Sequence, residues 1–320
     1  MYALLEQLTL QAAFPLAALC ETLEVSRAGY YAWRSESQSA QHERDRELTP
    51  LVCDIFWKHK RRYGARRIAV ELGALGQPCG VDRVAKLLKI QGLRAIQPQS
   101  YKPKTTHSRH TLGYSPNLLL RMPPPKSLNR VWVADITYIP LQSCFAFLAL
   151  VLDLCSRRVI GWSLADHMTE PLVLDALQHA ISARQPPSEL IHHSDRGGQY
   201  AGHEYRAVLR RAAMRQSMSR AANCYDNAFM ESCFGTIKTE LEMTEYQDSR
   251  QARSEIASYL AYYNTERRHS SLDYLSPAAF EPNCSCYVSH NTVRNLPSSS
   301  TPRDEPNRQA PDTHCLHRRF

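Results

Sequence analysis

The chain has 320 residues, a length that suits about two domains, and its 43% hydrophobic and 22% charged residues are typical of a globular protein. No run approaches the roughly 18 uninterrupted apolar residues of a membrane span. None of the ten cysteines forms a C-x-x-C pair, which argues against zinc and for a reduced, cytoplasmic protein.

Residues 1–46 are predicted to form an N-terminal helical segment. Apolar residues recur at helical spacing between residues 16 and 23. Ser26 is a suitable N-cap for a second short helix, which carries three aromatic residues: Tyr30, Tyr31 and Trp33.

Residues 47–95 belong to the stretch in which basic residues most outnumber acidic ones. Between Trp57 and Arg109 stand thirteen Lys or Arg against two acidic residues, a larger excess than the net charge of +8 on the whole chain. Two helical patterns joined by a Gly-containing turn occur here, and the second has a basic face. They predict either a helix-turn-helix domain that binds DNA or an amphipathic helix with solvated lysines. The first interpretation makes five residues candidates for DNA contacts: Arg66, Arg67, Arg83, Lys86 and Lys89.

Residues 96–128 are rich in Pro, Ser and Thr and are predicted to be a linker. The catalytic part is then expected over residues 129–282. Three strand patterns follow one another there, and further strands alternate with helices, which predicts a mixed five-stranded α/β sheet with flanking helices. Residues 283–320 lack apolar periodicity and are predicted to be a disordered tail.

Two aspartates in this region occupy positions at which a carboxylate calls for a structural or functional explanation. Asp135 lies in the middle of the strand VWVADITYI, although Asp is depleted in strands and an unpaired buried carboxylate is costly. Asp195 ends the strand ELIHHSD, just before two glycines. It is either a turn residue or part of a site, since sites collect where strands of an α/β sheet end.

A third acid, Glu231, is predicted on a helix. A helix that starts at Asp226 or Asn227 would place Glu231 in its second turn, with Asn227 and Lys238 on the same face. Oxygen ligands of this kind suit Mg²⁺ or Mn²⁺. Carboxylates that share a site repel one another, so cations would be needed to keep all three ionised.

Five motifs together resemble the bacterial transposases of the insertion-sequence-three family, in particular the catalytic subunit OrfB with its retroviral-integrase-like core. They are WVADITYI, VLDLCSRRVIGW, HHSDRGGQY, NCYDNAFMESCFGTIKTEL and YNTERRHSSLDYLSPAAF. The upstream segments RRYGARRIAVEL and VDRVAKLLKIQGL resemble the helix-turn-helix of the same subunit. The resemblance covers about residues 10 to 282.

The resemblance implies an RNase H-like core in which Asp135, Asp195 and Glu231 are the catalytic triad and bind two Mg²⁺, with Mn²⁺ as a possible substitute. It implies cutting at the ends of the element to free a 3′-OH, which then attacks another phosphodiester. It further implies a homo-oligomer on DNA, a partner subunit OrfA or a frameshift fusion with it, and a place in the bacterial cytoplasm at the nucleoid.

Several other residues allow two interpretations each. His193 shares a sheet face with Asp195 and either contacts DNA or is hydrogen-bonded beneath the site. Lys238 and Asn227 are candidates for DNA contacts near the cut, and the alternative for Lys238 is a solvated helix lysine. Asp153 is expected to be a turn or ion-pair residue. Three residues near the end of a helix either contact phosphates or cap that helix: Arg267, Arg268 and His269.

The resulting main hypothesis is a Mg²⁺-dependent transposase. A catalytically dead relic that only binds DNA is a second hypothesis, although all three acids are present. A stand-alone nuclease of RNase H-like fold is a third, and it does not explain the basic N-terminal domain.

Overall fold

The fold was analysed in a computed structural model. It describes residues 1–11, 15–37, 40–97, 113–120, 122–220, 228–242 and 245–284.

Three short helices form a small unit at the N-terminus: α1 (Tyr2–Gln11), α2 (Leu16–Thr22) and α3 (Arg27–Ser37). Their common core contains Leu5, Cys20 and Tyr30, one from each helix. Ser26 caps α3 as expected, because its Oγ accepts a hydrogen bond from the N–H of Gly29 at 2.9 Å.

A second helical unit follows, with α4 (Ala40–Lys58), α5 (Ala65–Ala74) and α6 (Val81–Ile90). Helix α6 buries Val84, Leu87 and Leu88 against the other two helices. Its basic residues lie on the remaining faces, as the amphipathic pattern predicts. The expected boundary between residues 46 and 47 falls inside α4, so this helix belongs to the second unit from residue 40 onward.

The remainder of the chain is built on a five-stranded mixed sheet with the order β3-β2-β1-β4-β5. Strand β1 pairs antiparallel with β2 and parallel with β4, and β4 pairs parallel with β5. This is the RNase H-like sheet that was predicted. The strands are β1 (Val131–Pro140), β2 (Phe145–Asp153), β3 (Val159–Ala165), β4 (Ile191–Ser194) and β5 (Arg215–Met218).

Helices cover both faces of the sheet. One face packs on α10 (Ala228–Glu240) and α11 (Ser249–Thr265), and its core includes Val133 and Leu150. The opposite face packs on α7 (Glu170–Arg184) and α9 (His203–Arg211), with the four-residue α8 (Gly198–Ala201) beside them. Gly161 permits the closest approach, because a Cβ at this position would overlap the carbonyl oxygen of Ala176 in α7.

The expected linker is partly packed on the core. Residues 113–120 run beside the edge strand β5, where the N–H of Leu118 donates to Ser217 Oγ at 2.9 Å and the guanidinium of Arg206 donates to the carbonyl of Gly113 at 2.8 Å. This segment therefore covers an edge that would otherwise present unpaired backbone groups. Residues 98–112 of the linker lie outside the described residues.

A last helix, α12 (277–284), follows α11 and ends the described part of the chain. It extends two residues into the expected tail, and the rest of that tail lies outside the described residues. Among the helices that the structure describes, none has the length and apolar character to cross a membrane.

Candidate active site and DNA-facing residues

Asp135 lies on β1, and Asp195 directly follows the neighbouring parallel strand β4. The partners in the β1–β4 pair differ by 60 positions, as in Val133 opposite His193. The same register, carried two residues past that pair, places Asp195 opposite Asp135, just after β4 ends at Ser194. Neighbouring strands lie about 4.8 Å apart, so the spacing of the two acids along the sequence becomes a close approach in space.

Glu231 reaches the same side of the sheet from α10. Side chains alternate along a strand, so Asp135 shares a face with Val133, which packs in one cluster with Met230 and Ile237 of α10. Helix α10 therefore lies over the face that carries both aspartates.

The described part of α10 begins at Ala228, and Glu231 lies three residues after it. Asp226 and Asn227, where the helix was expected to start, lie outside the described residues. The DNA contact expected of Asn227 stays a prediction.

The charges of Asp195 and Glu231 act on Asp135. Burial raises the pKa of Asp135 well above its usual range, and the charges of Asp195 and Glu231 raise it further. The N–H of Ile136, which donates to Asp135 Oδ1 at 2.8 Å, and the charge of Lys238 both lower that pKa. In the ranges that the structure describes, no three His, Cys, Asp or Glu side chains converge closely enough to form a metal site as they stand.

Lys238 lies between Asp135 and an aromatic ring. Its Nζ is 4.3 Å from the centre of the Tyr138 ring, a cation–π distance. Burial lowers the pKa of Lys238, and the charge of Asp135 opposes that shift. Lys238 is therefore part of the acid cluster rather than a solvated helix lysine. Its contact with DNA stays a prediction.

The loop after Asp195 is fixed by hydrogen bonds. Asp195 Oδ1 accepts from the N–H of Gly197 at 2.9 Å, and Arg196 Nε donates to the carbonyl of Ser219 at 2.7 Å. A Cβ at position 197 would stand 3.0 Å from Asp195 Oδ1, so a glycine suits this tight turn. Asp195 is thus a turn residue as well as a neighbour of Asp135.

The structure contradicts the DNA contact expected of His193. The side chain is fully buried, and its ring nitrogens lie 2.8 Å from Ser217 Oγ and 3.2 Å from Ser219 Oγ. The alternative, a histidine hydrogen-bonded beneath the site, is the one observed. Alternation along β4 correctly predicted the face but could not predict that β5 covers it.

Asp153 is confirmed as a turn residue. It is fully buried at the end of β2, and its carboxylate accepts from the N–H groups of Asn129 at 2.7 Å, Cys155 at 2.9 Å and Ser156 at 3.0 Å. It therefore shapes the β2–β3 connection and does not face the acid cluster.

The five basic candidates of the second helical unit have different surroundings. Arg66 and Lys89 are exposed and remain candidates for DNA contacts. Arg83 and Lys86 approach Asp45 of α4 at 3.3 and 3.8 Å, so part of their charge is compensated within the unit.

Arg67 does not face solvent as expected of a DNA contact. Its guanidinium donates to the carbonyl of Arg62 at 3.3 Å and lies 3.6 Å from the carboxylate of Glu240 in α10. Burial lowers the pKa of Arg67, with a further contribution from the charge of Arg267. The DNA contact expected of Arg67 stays a prediction, and sequence spacing could not show that this face of α5 packs against another domain.

Three residues near the end of α11 have side chains engaged within the protein, and the N–H of Arg267 also donates to the carbonyl of Tyr262 in the last turn of that helix at 2.9 Å. Arg267 is buried and binds Glu240, with Nη2 at 2.7 Å from Oε1. Arg268 Nε donates to Glu71 of α5 at 2.5 Å. His269 is buried edge-on against Tyr263 at 4.7 Å, and burial together with Arg267 lowers the pKa of His269 to about 3.

These contacts form an interface that sequence analysis missed. The hydroxyl of Tyr63 donates to the carbonyl of Glu266 at 3.2 Å and accepts from the N–H of Arg268 at 2.9 Å. Arg62 lies over the ring of Tyr262 at 4.8 Å. One feature of the sequence points to this interface, namely the many Arg and Tyr residues in RRYGARR and in residues 259–269. The arginines among them were interpreted as DNA contacts.

Three family matches cover most of this architecture. An integrase core domain family matches residues 125–224, and a second integrase core domain family matches residues 212–277. An HTH-like domain family matches residues 43–101.

Two bacterial relatives align over most of the chain. Transposase InsF for insertion sequence IS3A of Escherichia coli (strain K12) is 41% identical over 275 residues, which are 85% of this chain and 95% of the relative. The insertion element IS600 uncharacterized 31 kDa protein of Shigella sonnei is 39% identical over 264 residues, 82% of this chain and 97% of the relative.

Among solved structures, the HTLV-2 integrase catalytic core domain in complex with magnesium (dimeric form) is similar. Its identity is 18% and its TM-score 0.39, and the match covers 48% of this chain and 97% of that one.

Proposed function

Because this chain belongs to the IS3 family of insertion-sequence transposases with an integrase core, we propose that Asp135, Asp195 and Glu231 carry out metal-dependent DNA cleavage and strand transfer. The observation that supports the proposal is the β1–β4 register, whose offset of 60 positions, continued two residues past Val133 and His193, would bring Asp195 beside Asp135. The packing of α10 on the same face adds Glu231.

The donor set fits magnesium or manganese by its chemistry. Burial and the charges of the other two carboxylates raise the pKa of Asp135, and a cation is favoured in such an environment. Oxygen-only ligands are those that Mg²⁺ prefers, and two such ions would supply charge stabilisation and an activated oxygen for phosphodiester chemistry. Glu231 is exposed near the start of the described part of α10, so its carboxylate is available as the third ligand.

The protein's own residues position the substrate around these acids. The turn after Asp195 and the hydrogen bond between Arg196 and Ser219 hold one carboxylate in place. Lys238 compensates the charge of Asp135 and would contact a phosphate of the bound strand. The exposed residues Arg66 and Lys89 would add phosphate contacts from the HTH-like unit.

The substrate would be the two ends of the element, acted on in the bacterial nucleoid. The chain would free a 3′-OH at each end and use it to attack a second phosphodiester, without any covalent protein–DNA intermediate. We propose that it acts as an oligomer on DNA, either with the partner subunit OrfA or as part of a frameshift fusion with it.

The experiment that tests this function is a cleavage and joining assay on DNA fragments that carry the element's ends, with the partner subunit present. Mg²⁺ should permit cleavage, and the freed strand should be extended by a DNA polymerase because it ends in a 3′-OH. Removal of divalent ions by a chelator should stop cleavage while binding of the fragments persists.

Three results would each contradict the proposal. DNA that stays attached to denatured protein would point to a covalent intermediate. Cleavage without any joined product would favour a stand-alone nuclease, and binding without cleavage would favour a relic.

A further inference from the structure

The N-terminal unit of α1, α2 and α3 is not covered by the HTH-like match, which begins at residue 43. We propose that α2 and α3 form a second helix-turn-helix, and that α3 binds in the major groove of duplex DNA and contacts base edges. This inference rests on the proposed function only for the identity of the duplex, which would be the end of the element.

The connection between the two helices has defined geometry at the end of α2. The N–H of Val25 donates to the carbonyl of Cys20 at 3.0 Å, and the N–H of Glu24 donates to that of Glu21 at 3.2 Å. Glu24 has a φ of 52°, in the left-handed region. This pair of bonds around a left-handed residue is the Schellman arrangement, which ends a helix and turns the chain sharply.

The second helix begins directly after that turn. Ser26 caps α3 through the N–H of Gly29, so residues 23–26 are the whole connection. Four residues between two helices is the length that helix-turn-helix units use. A seven-residue first helix and an eleven-residue second helix complete the motif.

One side of α3 packs against α1 and the small core of this unit. Gly29 lets α1 approach closely, since a Cβ at this position would overlap the hydroxyl of Tyr2. The hydroxyl of Tyr30 donates to the carboxylate of Glu6 on α1, and Trp33 packs against the same small core. Helix α1 thus supports α3 from behind, as the third helix does in three-helix variants of the motif.

An adjoining side of α3 presents a stripe of Arg27, Tyr31 and Arg34, spaced four and three residues apart. Arg27 is the first residue of the helix and is exposed, and Tyr31 is 51% exposed. Arg34 is exposed and lies 3.5 Å from Glu6. The N-terminal residues of a recognition helix contact bases, and an arginine there can bind both acceptors of a guanine.

Charge explains why the motif would serve specificity more than affinity. Residues 1–37 contain two arginines, both on α3, against four glutamates at positions 6, 21, 24 and 36. Overall attraction to phosphate is therefore weak in this unit, and most of the salt-dependent affinity must come from the basic segment after residue 57.

The test selects preferred sequences from a library of randomised DNA duplexes. The full chain is used with Asp195→Asn in every arm and with a chelator present, so that neither cleavage nor metal affects the result. The variant is the double substitution Arg27→Ala and Tyr31→Ala. Matched controls are Gln7→Ala, exposed on α1, and Arg250→Ala, which removes an exposed arginine of α11.

The parent chain should enrich a motif with two blocks of base pairs, and the double variant should lose one block. Its affinity for the parent motif should fall roughly tenfold or more, since each base contact of this kind contributes about 1–3 kcal/mol. Binding to non-specific duplex should stay nearly the same, and both controls should behave as the parent. Arg27→Lys should also lose affinity for the motif, because an ammonium cannot reproduce the bidentate contact.

An unchanged motif and affinity in the double variant, with its helix content intact by circular dichroism, would overturn the proposal. So would an Arg27→Lys chain that binds as the parent does, because that contact would then be to phosphate. Loss of self-association with the DNA motif retained would identify α3 as a protein interface instead. None of these outcomes depends on strand transfer, so failure here is distinct from failure of the proposed catalytic function.

Discussion

Among single residues, Asp135 is the one whose placement demands most from its surroundings. Its carboxylate lies on a central strand, and its immediate hydrogen bond is with the next N–H in the chain, that of Ile136. Lys238 is the basic group that lowers the pKa of Asp135, while burial and two acids raise it. The balance between these groups decides how readily Asp135 ionises.

Replacing Lys238 tests that balance. In Lys238→Gln the pKa of Asp135 should rise further, so the acidic limb of the pH–rate profile for strand transfer should move to higher pH. Lys89→Gln, which removes an exposed lysine of α6, should leave the position of that limb unchanged. A profile that keeps its position in Lys238→Gln would mean that Lys238 does not act on Asp135.

A second residue-level prediction concerns acid stability. Burial, with a contribution from His193, lowers the pKa of His192 to about 3, and Tyr205 Oη lies 3.1 Å from its Nε2. A folded pKa below the unfolded value of about 6.5 means that the contribution to stability is complete above pH 6.5. It is lost as the pH falls from there toward 3, by about 1.4 kcal/mol per pH unit.

Urea unfolding followed from pH 7 to pH 4 should therefore show a steep loss of stability, and His192→Gln should make it shallower. His203→Gln, at an exposed position on α9, is the control and should keep the slope of the parent. An equal slope in the His192 variant and the parent would show that this histidine is not the group that titrates.

Among the elements, α5 and α10 are joined across the two domains by charge. Glu240, at the end of α10, is buried and binds Arg267 at 2.7 Å, Tyr259 Oη at 3.0 Å and Arg67 of α5 at 3.6 Å. One carboxylate thus compensates two arginines, and Arg268 adds a second link to α5 through Glu71. The HTH-like unit is therefore held in a defined position on the catalytic core.

Breaking the central link should be costly. Glu240→Gln would leave Arg267 buried without its ion pair, so the free energy of unfolding should fall by about 3–5 kcal/mol. Glu242→Gln is the matched control, because this neighbour pairs with Arg61 at 3.4 Å on the surface, with half of each side chain exposed. It should change stability by less than about 1 kcal/mol. Equal, small effects in denaturant titrations would rule out a stabilising role for the buried pair.

For the molecule as a whole, local patterns predicted the core well. The strands around Asp135 and Asp195 were predictable because an apolar run bounded by turn residues is compatible with few structures other than a buried strand. Even the spacing of the two aspartates carried information, because 60 positions is also the offset between paired residues of β1 and β4. That meaning could be recognised only once β1 and β4 were known to be neighbours.

Contacts between distant segments were beyond the sequence. Arg67 and Arg267 are residues of the kind that line DNA-binding surfaces, yet both pair with the buried Glu240. Arg67 and Glu240 are more than 150 residues apart in the chain. His193 lies on the side of its strand that alternation predicts, yet its ring is hydrogen-bonded to Ser217 of β5 and to Ser219 just after that strand. A periodicity shows which residues share a face, but it does not show what packs against that face.

The measurement that tests the central claim most directly is strand transfer by Asp195→Asn, beside Asp166→Asn as an exposed aspartate of the same domain. Both variants should bind fragments carrying the element's ends as the parent chain does. With Mg²⁺ and the partner subunit, Asp166→Asn should join ends at the parental rate, and Asp195→Asn should give no joined product. Joining by Asp195→Asn at the parental rate would contradict the assignment of the triad.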